Sequence, residues 1–415
     1  MEMTLNVGAY KKTGLDWMPE VPEHWEIKRA KSLFQERSVK GFPREPLLAA
    51  SQKQGVVLKE MLEQRSMEAI QNFETFKLVK RDDFVISLRS FEGGLELAYF
   101  QGIISPVYSI FYFRQEKEQS RDFFKYLFKS KMFIQELNIY KKGIRDGQSI
   151  SFGEFANIYL PIPPLTEQAA IVQYIKAQEE KINLFIQKKQ RFIELLKEQR
   201  LSIVNNYVTS ETKNWIWLRL KDIVTVNDEA LTEKIEDEFL IRYIDIGNVN
   251  SYGDIAEIQE YEFKDTPSRA RRIVRKGDVI ISTVRTYLKA ITLIESDEEN
   301  LIASTGFAVL RPKENVLSEY LNFALRAEYF ISSVIQNSYG VSYPAINSST
   351  LSSLKIVIPK STSEQQEIIN KIKTETATID TAIAKAEREI ELIREYKEAM
   401  ISEVVMGKRK FNFAQ

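Results

Sequence analysis

One segment of this chain occurs twice. The residues LPIPPLTEQAAIVQYIKAQEEKI (Leu160–Ile182) return as IVIPKSTSEQQEIINKIKTETATI (Ile356–Ile379). The offset is 196 residues at an Ile-Pro pair and 197 at a Glu-Gln pair; the matches are Ile162-Pro163 with Ile358-Pro359 and Glu167-Gln168 with Glu364-Gln365. A repeat of this length predicts two copies of one unit, a globular lobe followed by a long helix.

A long helix is predicted after each proline-containing break. Residues 166–208 contain no Gly or Pro, and residues 363–406 repeat the pattern. Apolar residues recur at steps of 3, 4 or 7, which predicts a helix–helix seam; the seam positions are Ile171, Ile175, Ile182, Phe192, Leu196, Ile368, Ile372, Ile379, Ile390 and Ile393. Thr166 and Ser363 are predicted N-caps, with Glu167 and Glu364 in the first turn.

The natural partner of each narrow apolar stripe is the other copy. Repeated units usually pair about a two-fold axis, so we expect the two helices to run antiparallel as a coiled coil. Each helix would then form a rod of roughly 60 Å, with one lobe at each end. Parallel packing is the alternative.

The lobes repeat more weakly than the helices. Trp25 aligns with Trp215, Lys80–Arg89 with Arg275–Arg285 as a turn and buried strand, and Phe123–Ile134 with Tyr320–Ile331 as an amphipathic helix. The fold class predicted is therefore α+β, with two mixed α/β lobes and a pseudo-two-fold internal repeat. The predicted boundaries are 1–160 for the first lobe, 161–210 for the first helix, 211–357 for the second lobe and 358–415 for the second helix.

Composition excludes several functional classes. The chain has no Cys and one His, His24, which argues against disulfides, zinc knuckles and multi-His metal sites and fits a reducing cytoplasm. We find no apolar run long enough for a membrane span, no signal peptide, no GxxxxGK[ST] phosphate loop and no GxGxxG. His24 itself is expected to pack or cap a helix, and Trp25 and Trp215 to lie in the core.

The positive signal is a set of basic and polar clusters in the lobes. Net charge is zero, but the second helix carries ten acidic and six basic residues, so the lobes hold a basic surplus. Since Arg and Lys neutralise phosphates and Arg, Gln and Ser read base edges, we predict DNA-binding candidates; they are Arg89, Lys141, Lys142, Arg145, Gln148, Ser149, Arg269, Arg271, Arg272, Arg275, Lys276, Arg285, Ser342 and Tyr343. The alternatives are a solvated charged face and, for Arg89 and Arg285, salt bridges at the strand ends.

These segments resemble the specificity (S) subunit of type I restriction–modification systems along almost the whole chain. The opening KKTGLDWMPEVPEHWEIKRAKSLF resembles the N-terminal signature of that family, and LPIPPLTEQ with its helix resembles the central conserved region. IVIPKSTSEQ and its helix resemble the C-terminal conserved region, with Lys360 where the first copy has Pro164.

The resemblance implies two target-recognition domains that each bind half of a bipartite, asymmetric double-stranded DNA target, with the helices as spacer. It also implies two modification (M) subunits that methylate adenine with S-adenosylmethionine, and restriction (R) subunits that use ATP and Mg for antiviral restriction. The chain itself would be non-catalytic, with no cofactor and no metal.

Two other functions stay open. The first is a two-lobed coiled-coil scaffold that binds proteins and has no DNA specificity. The second is a single-chain nuclease or methyltransferase, which the missing motifs oppose. DNA binding should weaken steeply with salt, whereas a protein scaffold should have no affinity for duplex DNA.

Overall fold

A computed structural model describes residues 3–4, 9–62, 72–88, 90–115, 119–140, 150–209, 215–232, 235–256, 258–409 and 412–413. The chain divides into two compact units, which we describe separately. Unit 1 comprises Met1–Lys188 and Glu389–Gln415, and unit 2 comprises Lys189–Arg388.

Unit 1 holds mostly short strands and helices. In chain order these are β1 (Met3–Thr4), β2 (Tyr10–Leu15), β3 (Met18–Pro22), β4 (Glu26–Arg29), α1 (Ala30–Leu33), β5 (Phe34–Arg37), β6 (Leu48–Ser51), β7 (Gly55–Leu58), β8 (Lys77–Val79), β9 (Phe84–Ile86), α2 (Ser90–Gly93), β10 (Glu96–Leu97), β11 (Gly102–Ile104), β12 (Ser109–Phe113), α3 (Arg121–Lys129), α4 (Lys131–Ile139), α5 (Phe152–Phe155) and β13 (Tyr159–Ile162). The long helix α6 (Leu165–Thr209) begins in unit 1 and ends in unit 2.

Unit 2 continues with the matching elements. They are β14 (Trp215–Arg219), α7 (Leu220–Ile223), β15 (Val224–Val226), β16 (Leu240–Ile244), β17 (Gln259–Glu262), β18 (Ala270–Ile273), β19 (Val279–Ser282), β20 (Ile291–Leu293), β21 (Leu301–Ser304), β22 (Phe307–Pro312), α8 (Ser318–Leu325), α9 (Glu328–Gln336), α10 (Ser348–Ser353) and β23 (Lys355–Pro359). The second long helix α11 (Thr362–Val405) begins in unit 2 and ends in unit 1, where β24 (Asn412–Phe413) pairs with β1.

Each unit contains its own four-stranded antiparallel sheet, and the two sheets have the same strand order. The order is β10-β9-β12-β5 in unit 1 and β20-β19-β22-β15 in unit 2, so each strand has a counterpart in the same place. In unit 2 a second sheet has the order β17-β16-β21-β18, and β16 and β21 run parallel. Unit 1 has the corresponding antiparallel pairs β7-β6 and β11-β8, which a parallel bridge between Leu47 and Ile103 connects in the same order. The repeat therefore extends to the second set of strands, which pair over a longer stretch in unit 2.

The core of unit 1 is aromatic where that of unit 2 is aliphatic. Phe34 packs against Phe84, Phe111, Phe113, Phe124, Phe128 and Phe155 with ring centroids 4.5–6.0 Å apart. The corresponding sheet of unit 2 buries mainly Val, Ile, Leu and Ala against Tyr320 and Phe330. Both patterns remove apolar surface from water, which is the main force that holds each unit together.

Each unit also contains an antiparallel pair of long-helix segments. In unit 2 the Arg200 Nε donates to Asp380 Oδ1 at 2.8 Å, and the Tyr207 hydroxyl donates to Glu375. Residue numbers rise along one helix while they fall along the other, so the two segments are antiparallel. In unit 1 the Lys397 ammonium lies 2.9 Å from Glu179 Oε1. The predicted α+β lobes, internal repeat and two long antiparallel helices are confirmed.

The start of each long helix is fastened by the same contacts. Trp25 Nε1 donates to Glu167 Oε2 at 2.8 Å, and Trp215 Nε1 donates to Glu364 Oε1 at 3.1 Å. The next residue in each copy is a fully buried glutamine whose amide donates to a proline carbonyl and accepts from the backbone before α3 or α8. The Glu-Gln pair thus ties the first turn of the helix to its own lobe.

Three local predictions were wrong. The helices begin at Leu165 and Thr362, two residues before the starts that N-caps at Thr166 and Ser363 imply, so both residues lie inside the first turn. In the second copy the hydroxyl of Ser361 accepts from Glu364 N at 3.2 Å instead. The predicted helix at residues 123–134 is two helices, because the Ser130 hydroxyl accepts from Phe133 N and restarts the chain after α3. The corresponding helix predicted at residues 320–331 is likewise divided into two helices, α8 and α9.

The third difference concerns Phe192. Its side chain is 44% exposed, whereas the neighbouring Ile193 is half-buried. At about 100° per residue, Phe192 lies about 80° around the helix from the buried Ile182, whereas Ile193 lies only about 20° from it. Of the other seam positions Leu196 and Ile393 are half-buried and the rest are buried, namely Ile171, Ile175, Ile182, Ile368, Ile372, Ile379 and Ile390.

Candidate nucleic-acid interface

The two sheets of unit 2 are joined by a short turn after Ser304. Thr305 N donates to the Arg269 carbonyl at 2.8 Å on one side of this turn. On the other side Thr283 donates to the Gly306 carbonyl through its N at 2.8 Å and its hydroxyl at 2.9 Å. The basic strand β18 and the loop after β19 therefore meet at one turn, although the sequence separates them.

Strand β18 supplies consecutive arginines through a β-bulge. Its pairing with β21 skips Arg271, which lies between the paired residues Ala270 and Arg272. The side chains of Arg271 and Arg272 therefore do not point to opposite faces of the sheet as they would in a regular strand. The Arg271 guanidinium lies 5.4 Å from the Phe263 ring centroid and donates to the Ala270 carbonyl at 2.9 Å. Arg272 as a whole is half-buried, but its Nε atom is buried and has no hydrogen-bond partner within the described part of the chain.

The predicted basic run is not one cluster. Arg269 precedes β18, whereas Arg275 and Lys276 follow its other end, about 13 Å away for a strand of four residues. Arg275 Nη2 pairs with Glu229 at 2.6 Å, and the Lys276 ammonium pairs with Asp297 at 2.5 Å. These two cations are thus already matched by carboxylates. Arg269, Arg271 and Arg272 are the part of the run whose backbone lies next to the turn after Ser304.

Arg285 begins a strained one-turn segment. Residues Thr286–Leu288 form a 3-10 turn, and the residues on both sides, Arg285 and Lys289, have positive φ angles of 49° and 53°. A left-handed conformation costs a residue with a side chain roughly 1–3 kcal/mol, and such strain concentrates at functional sites. Arg285, Tyr287 and Lys289 are all exposed, so the strain presents two cations and an aromatic ring to solvent.

A second loop stands beside this segment. Tyr339 and Ala345 form a β-bridge with hydrogen bonds of 2.8 and 2.9 Å, which closes the loop Gly340–Pro344. Ala345 also bridges Val284, and the Thr286 and Ser338 hydroxyls lie 2.9 Å apart. We call residues Ser338–Ala345 the aromatic hairpin.

The structure brings together candidates that were predicted separately. The Arg285 guanidinium lies 5.1 Å from the ring centroid of Tyr343, and Ser342 is exposed on the same loop. Tyr287, Lys289, Tyr339 and Val341 also belong to this surface and were missed by the sequence analysis. The signal that could have identified them is the lack of any Asp or Glu in residues 284–289 and 338–346.

The unit 1 candidates Arg89, Lys141, Lys142, Arg145, Gln148 and Ser149 lie outside the described residues. The strand that precedes Arg89 is nevertheless the counterpart of β19, as predicted: β9 pairs with β12 as β19 pairs with β22.

His24 is far in the sequence from the basic strand β18 and the aromatic hairpin, and its side chain contacts the first turn of α6. Its Nε2 lies 2.6 Å from Glu167 Oε1, the carboxylate that also accepts from Trp25. In the residues that the structure describes, no group of three or more His, Asp or Glu could hold a metal ion, and no helix is both long and apolar enough to cross a membrane.

Comparison with known proteins gives a consistent result. The family model for the type I restriction modification DNA specificity domain matches twice, over residues 22–194 and 212–392. The HindI specificity subunit of Haemophilus influenzae is 32% identical over 108 residues, which are 25% of this chain and 23% of that protein. The MjaVIII specificity subunit of Methanocaldococcus jannaschii is 22% identical over 275 residues, 61% of this chain and 63% of that protein. The matched part thus spans less than two thirds of either relative.

One solved structure shows the same fold. A chain from work on complex assembly and conformational transition of the type I R-M system superimposes with a TM-score of 0.57 at 15% identity, covering 94% of this chain and 99% of that chain. The HsdS subunit of Thermoanaerobacter tengcongensis is similar over 94% of this chain and 98% of its own, with 16% identity and a TM-score of 0.41.

Proposed function

This chain belongs to the type I restriction–modification DNA specificity family, and we propose that it is the subunit that selects the DNA target. Each unit would read one half of a bipartite, asymmetric sequence and so direct adenine methylation and restriction by associated M and R subunits. The two long helices would serve as the spacer. The chain would supply no catalytic group.

The observation that carries this proposal is the contrast between a repeated frame and unrepeated surfaces. The Trp-Glu and Gln contacts at the helix starts recur in both units, as does the four-stranded sheet. The side chains on the second set of strands do not recur, because β18 carries Arg271 and Arg272 through a bulge where the corresponding β8 has the regular sequence Lys-Leu-Val. Two different surfaces on one frame suit a protein that reads two different half-sites.

The chemistry of the unit 2 surface supports the same function. Arg269, Arg271 and Arg285 can neutralise phosphates or donate two hydrogen bonds to guanine in the major groove. Arg89 and residues 141–149 are the proposed counterparts in unit 1. S-adenosylmethionine, ATP and Mg would be bound by the partner subunits, and the complex would work in the cytoplasm.

Mapping methylated adenines across a genome that carries this system tests the proposal. We expect one bipartite motif with two unlike halves and a spacer of fixed length, and its loss when the gene for this chain is deleted. Methylation that is unchanged by the deletion would contradict the proposal.

Binding measurements separate the proposal from a protein scaffold. The complex with its M subunits should bind duplexes that contain the mapped motif, with an affinity that falls steeply between 50 and 200 mM salt. A scaffold would bind no duplex DNA, and a self-sufficient enzyme would methylate DNA without its partners.

A further inference from the structure

The aromatic hairpin exposes more apolar surface than its neighbours in unit 2 need. Val341 is 100% exposed at the tip of the loop, and Tyr339 and Tyr343 on either side are 75% and 66% exposed. Tyr287, 51% exposed, adds a fourth apolar side chain from the strained turn beside it. Contiguous exposed apolar side chains usually mark a binding surface.

The hairpin is held firmly at its base. Besides the Tyr339–Ala345 bridge, Ile346 N donates to the Thr283 carbonyl at 2.8 Å, and Thr286 N donates to the Pro344 carbonyl at 3.3 Å. Gly340 makes the bend with a φ of 109°, where a side chain would meet the Tyr343 carbonyl at 3.1 Å. A loop fixed in this way loses little freedom on binding, so its contacts add to affinity and selectivity.

The charge around the hairpin indicates a nucleic acid and not a protein core. Arg285 and Lys289 adjoin it, and residues 284–289 and 338–346 contain no carboxylate. The Arg285 guanidinium over the Tyr343 ring also keeps that ring in position. Cations flanking an apolar tip can contact the two phosphate backbones while the tip enters the groove between them.

We propose that the aromatic hairpin enters the major groove and that the Val341 side chain reads the 5-methyl group of a thymine in the half-site of unit 2. This inference rests on the proposed function. A two-stranded ribbon fits the major groove, and the thymine methyl is the apolar group that a base pair presents there. Val341 has no polar side-chain atom, so it can select a base only through such an apolar contact.

Replacing single thymines by uracil tests this directly, since uracil lacks only the methyl group. The probes are duplexes that carry the mapped motif, with each thymine of the unit 2 half-site replaced in turn, and the protein is the full chain with its M subunits. At one position we expect the wild-type complex to lose about three- to fivefold in affinity, the value of one buried methyl group.

The Val341→Ala variant should bind the thymine and uracil probes equally at that position. Val107→Ala is the matched control, because Val107 is also exposed (59%) but belongs to unit 1; this variant should keep the preference for thymine. Both substitutions lie on the surface and should leave folding intact.

The outcomes are distinguishable. Binding to the motif without any thymine-to-uracil difference in this half-site overturns the inference and leaves the proposed function standing. A preference that survives in Val341→Ala does the same. A Val341→Ala chain that no longer copurifies with M subunits, with thymine preference unchanged, would make the hairpin a protein contact. No binding to any motif would overturn both proposals.

Discussion

Both units place a buried aspartate just before the second strand of the common sheet, and both pair it with an arginine. Asp83 accepts from Arg37 Nε at 2.7 Å and Nη2 at 3.1 Å. Asp278 accepts from Arg311 Nε and Nη2, each at 2.9 Å. In each unit the same carboxylate also accepts from a backbone N three residues earlier, at 2.8 Å.

The two arginines come from different strands. Arg37 lies on β5 and stacks 4.1 Å from the ring of Tyr112 on β12. Arg311 lies on β22, the counterpart of β12, at the position that corresponds to Tyr112. The frame therefore preserves a bidentate ion pair at this strand start, while the strand that supplies the cation has changed.

A second pair of corresponding cations differs in its partners. Lys129 at the end of α3 forms an ion pair with the buried Glu96 and donates to the Gly93 carbonyl at 2.9 Å. Arg326 follows α8 at the same place, and its guanidinium forms no hydrogen bond or ion pair with any residue that the structure describes. Burial and, less strongly, the nearby Arg200 lower the pKa of Arg326 to about 10, although the charge of Asp254 opposes this shift. Equivalent positions thus carry one satisfied and one unsatisfied charge.

The largest expected effect comes from exchanging a whole recognition surface. If residues 211–355 are replaced by the matching segment of a relative with another target, only one half of the methylated motif should change. Specific sites are commonly bound 10³-fold or more tightly than other DNA, so the change should be complete in a methylation map. A change in both halves would show that the two units are not independent readers.

Removing the shared aspartate should affect the units unequally. Asp83→Ala leaves the Arg37 guanidinium without a carboxylate, and breaking such a buried pair costs about 3–5 kcal/mol of stability. Asp278→Ala should cost about 1–2 kcal/mol less, because Arg311 keeps Asp228 and Glu229 at 3.0 and 3.2 Å. Hydrogen exchange of β9 and β19 measures each unit separately. Equal losses would mean that the extra carboxylates do not compensate.

Much of the frame could be predicted from the sequence, because it is encoded locally. The sequence predicts the limits of the long helices within two residues, since uninterrupted segments without Gly or Pro determine helix limits. The parallel pairing of β16 with β21 and the choice between Arg37 and Arg311 could not be predicted, because they depend on contacts between distant segments. The site was limited by the same cause: Arg285 and Tyr343 are far apart in sequence and meet only through the bridge at Ala345.

Replacing Lys129 and Arg326, the two corresponding cations, should change the stability of the protein in opposite directions. Lys129→Met leaves Glu96 buried without its cation and should cost about 3 kcal/mol. Arg326→Met removes an unpaired charge from a half-buried site and should raise stability by up to about 1 kcal/mol. Denaturant unfolding, monitored by hydrogen exchange, measures the stability of both variants. A destabilised Arg326→Met protein would indicate that the guanidinium has a partner in the assembled complex.

The pH dependence of Lys129→Met sharpens this contrast. Burial raises the pKa of Glu96 above its usual value, and the charge and hydrogen bond of Lys129 together with the charge of Lys125 oppose that rise. The folded state therefore binds the Glu96 proton more tightly than the unfolded state, so this contribution is present at low pH and is lost as pH rises through the folded pKa. Lowering the pH from 7 to about 5 should recover part of the stability that Lys129→Met loses, and Lys129→Met/Glu96→Gln should show no such recovery.

The last expected effect concerns affinity for DNA and compares the basic strand β18 with an exposed arginine on α6. Replacing Arg271 and Arg272 with Ala should weaken binding to the motif by about tenfold and flatten the salt dependence, because up to two phosphate or base contacts are lost. The matched control is Arg191→Ala, since Arg191 is exposed on α6 and already paired with Glu194 at 2.9 Å. Relaxed selection should appear only in the half-site of unit 2, because β8, the counterpart of β18 in unit 1, carries no arginine. If the folded double variant binds as well as the control, the bulge on β18 is an ordinary charged surface, and the hairpin with Arg285 must carry the recognition in this unit.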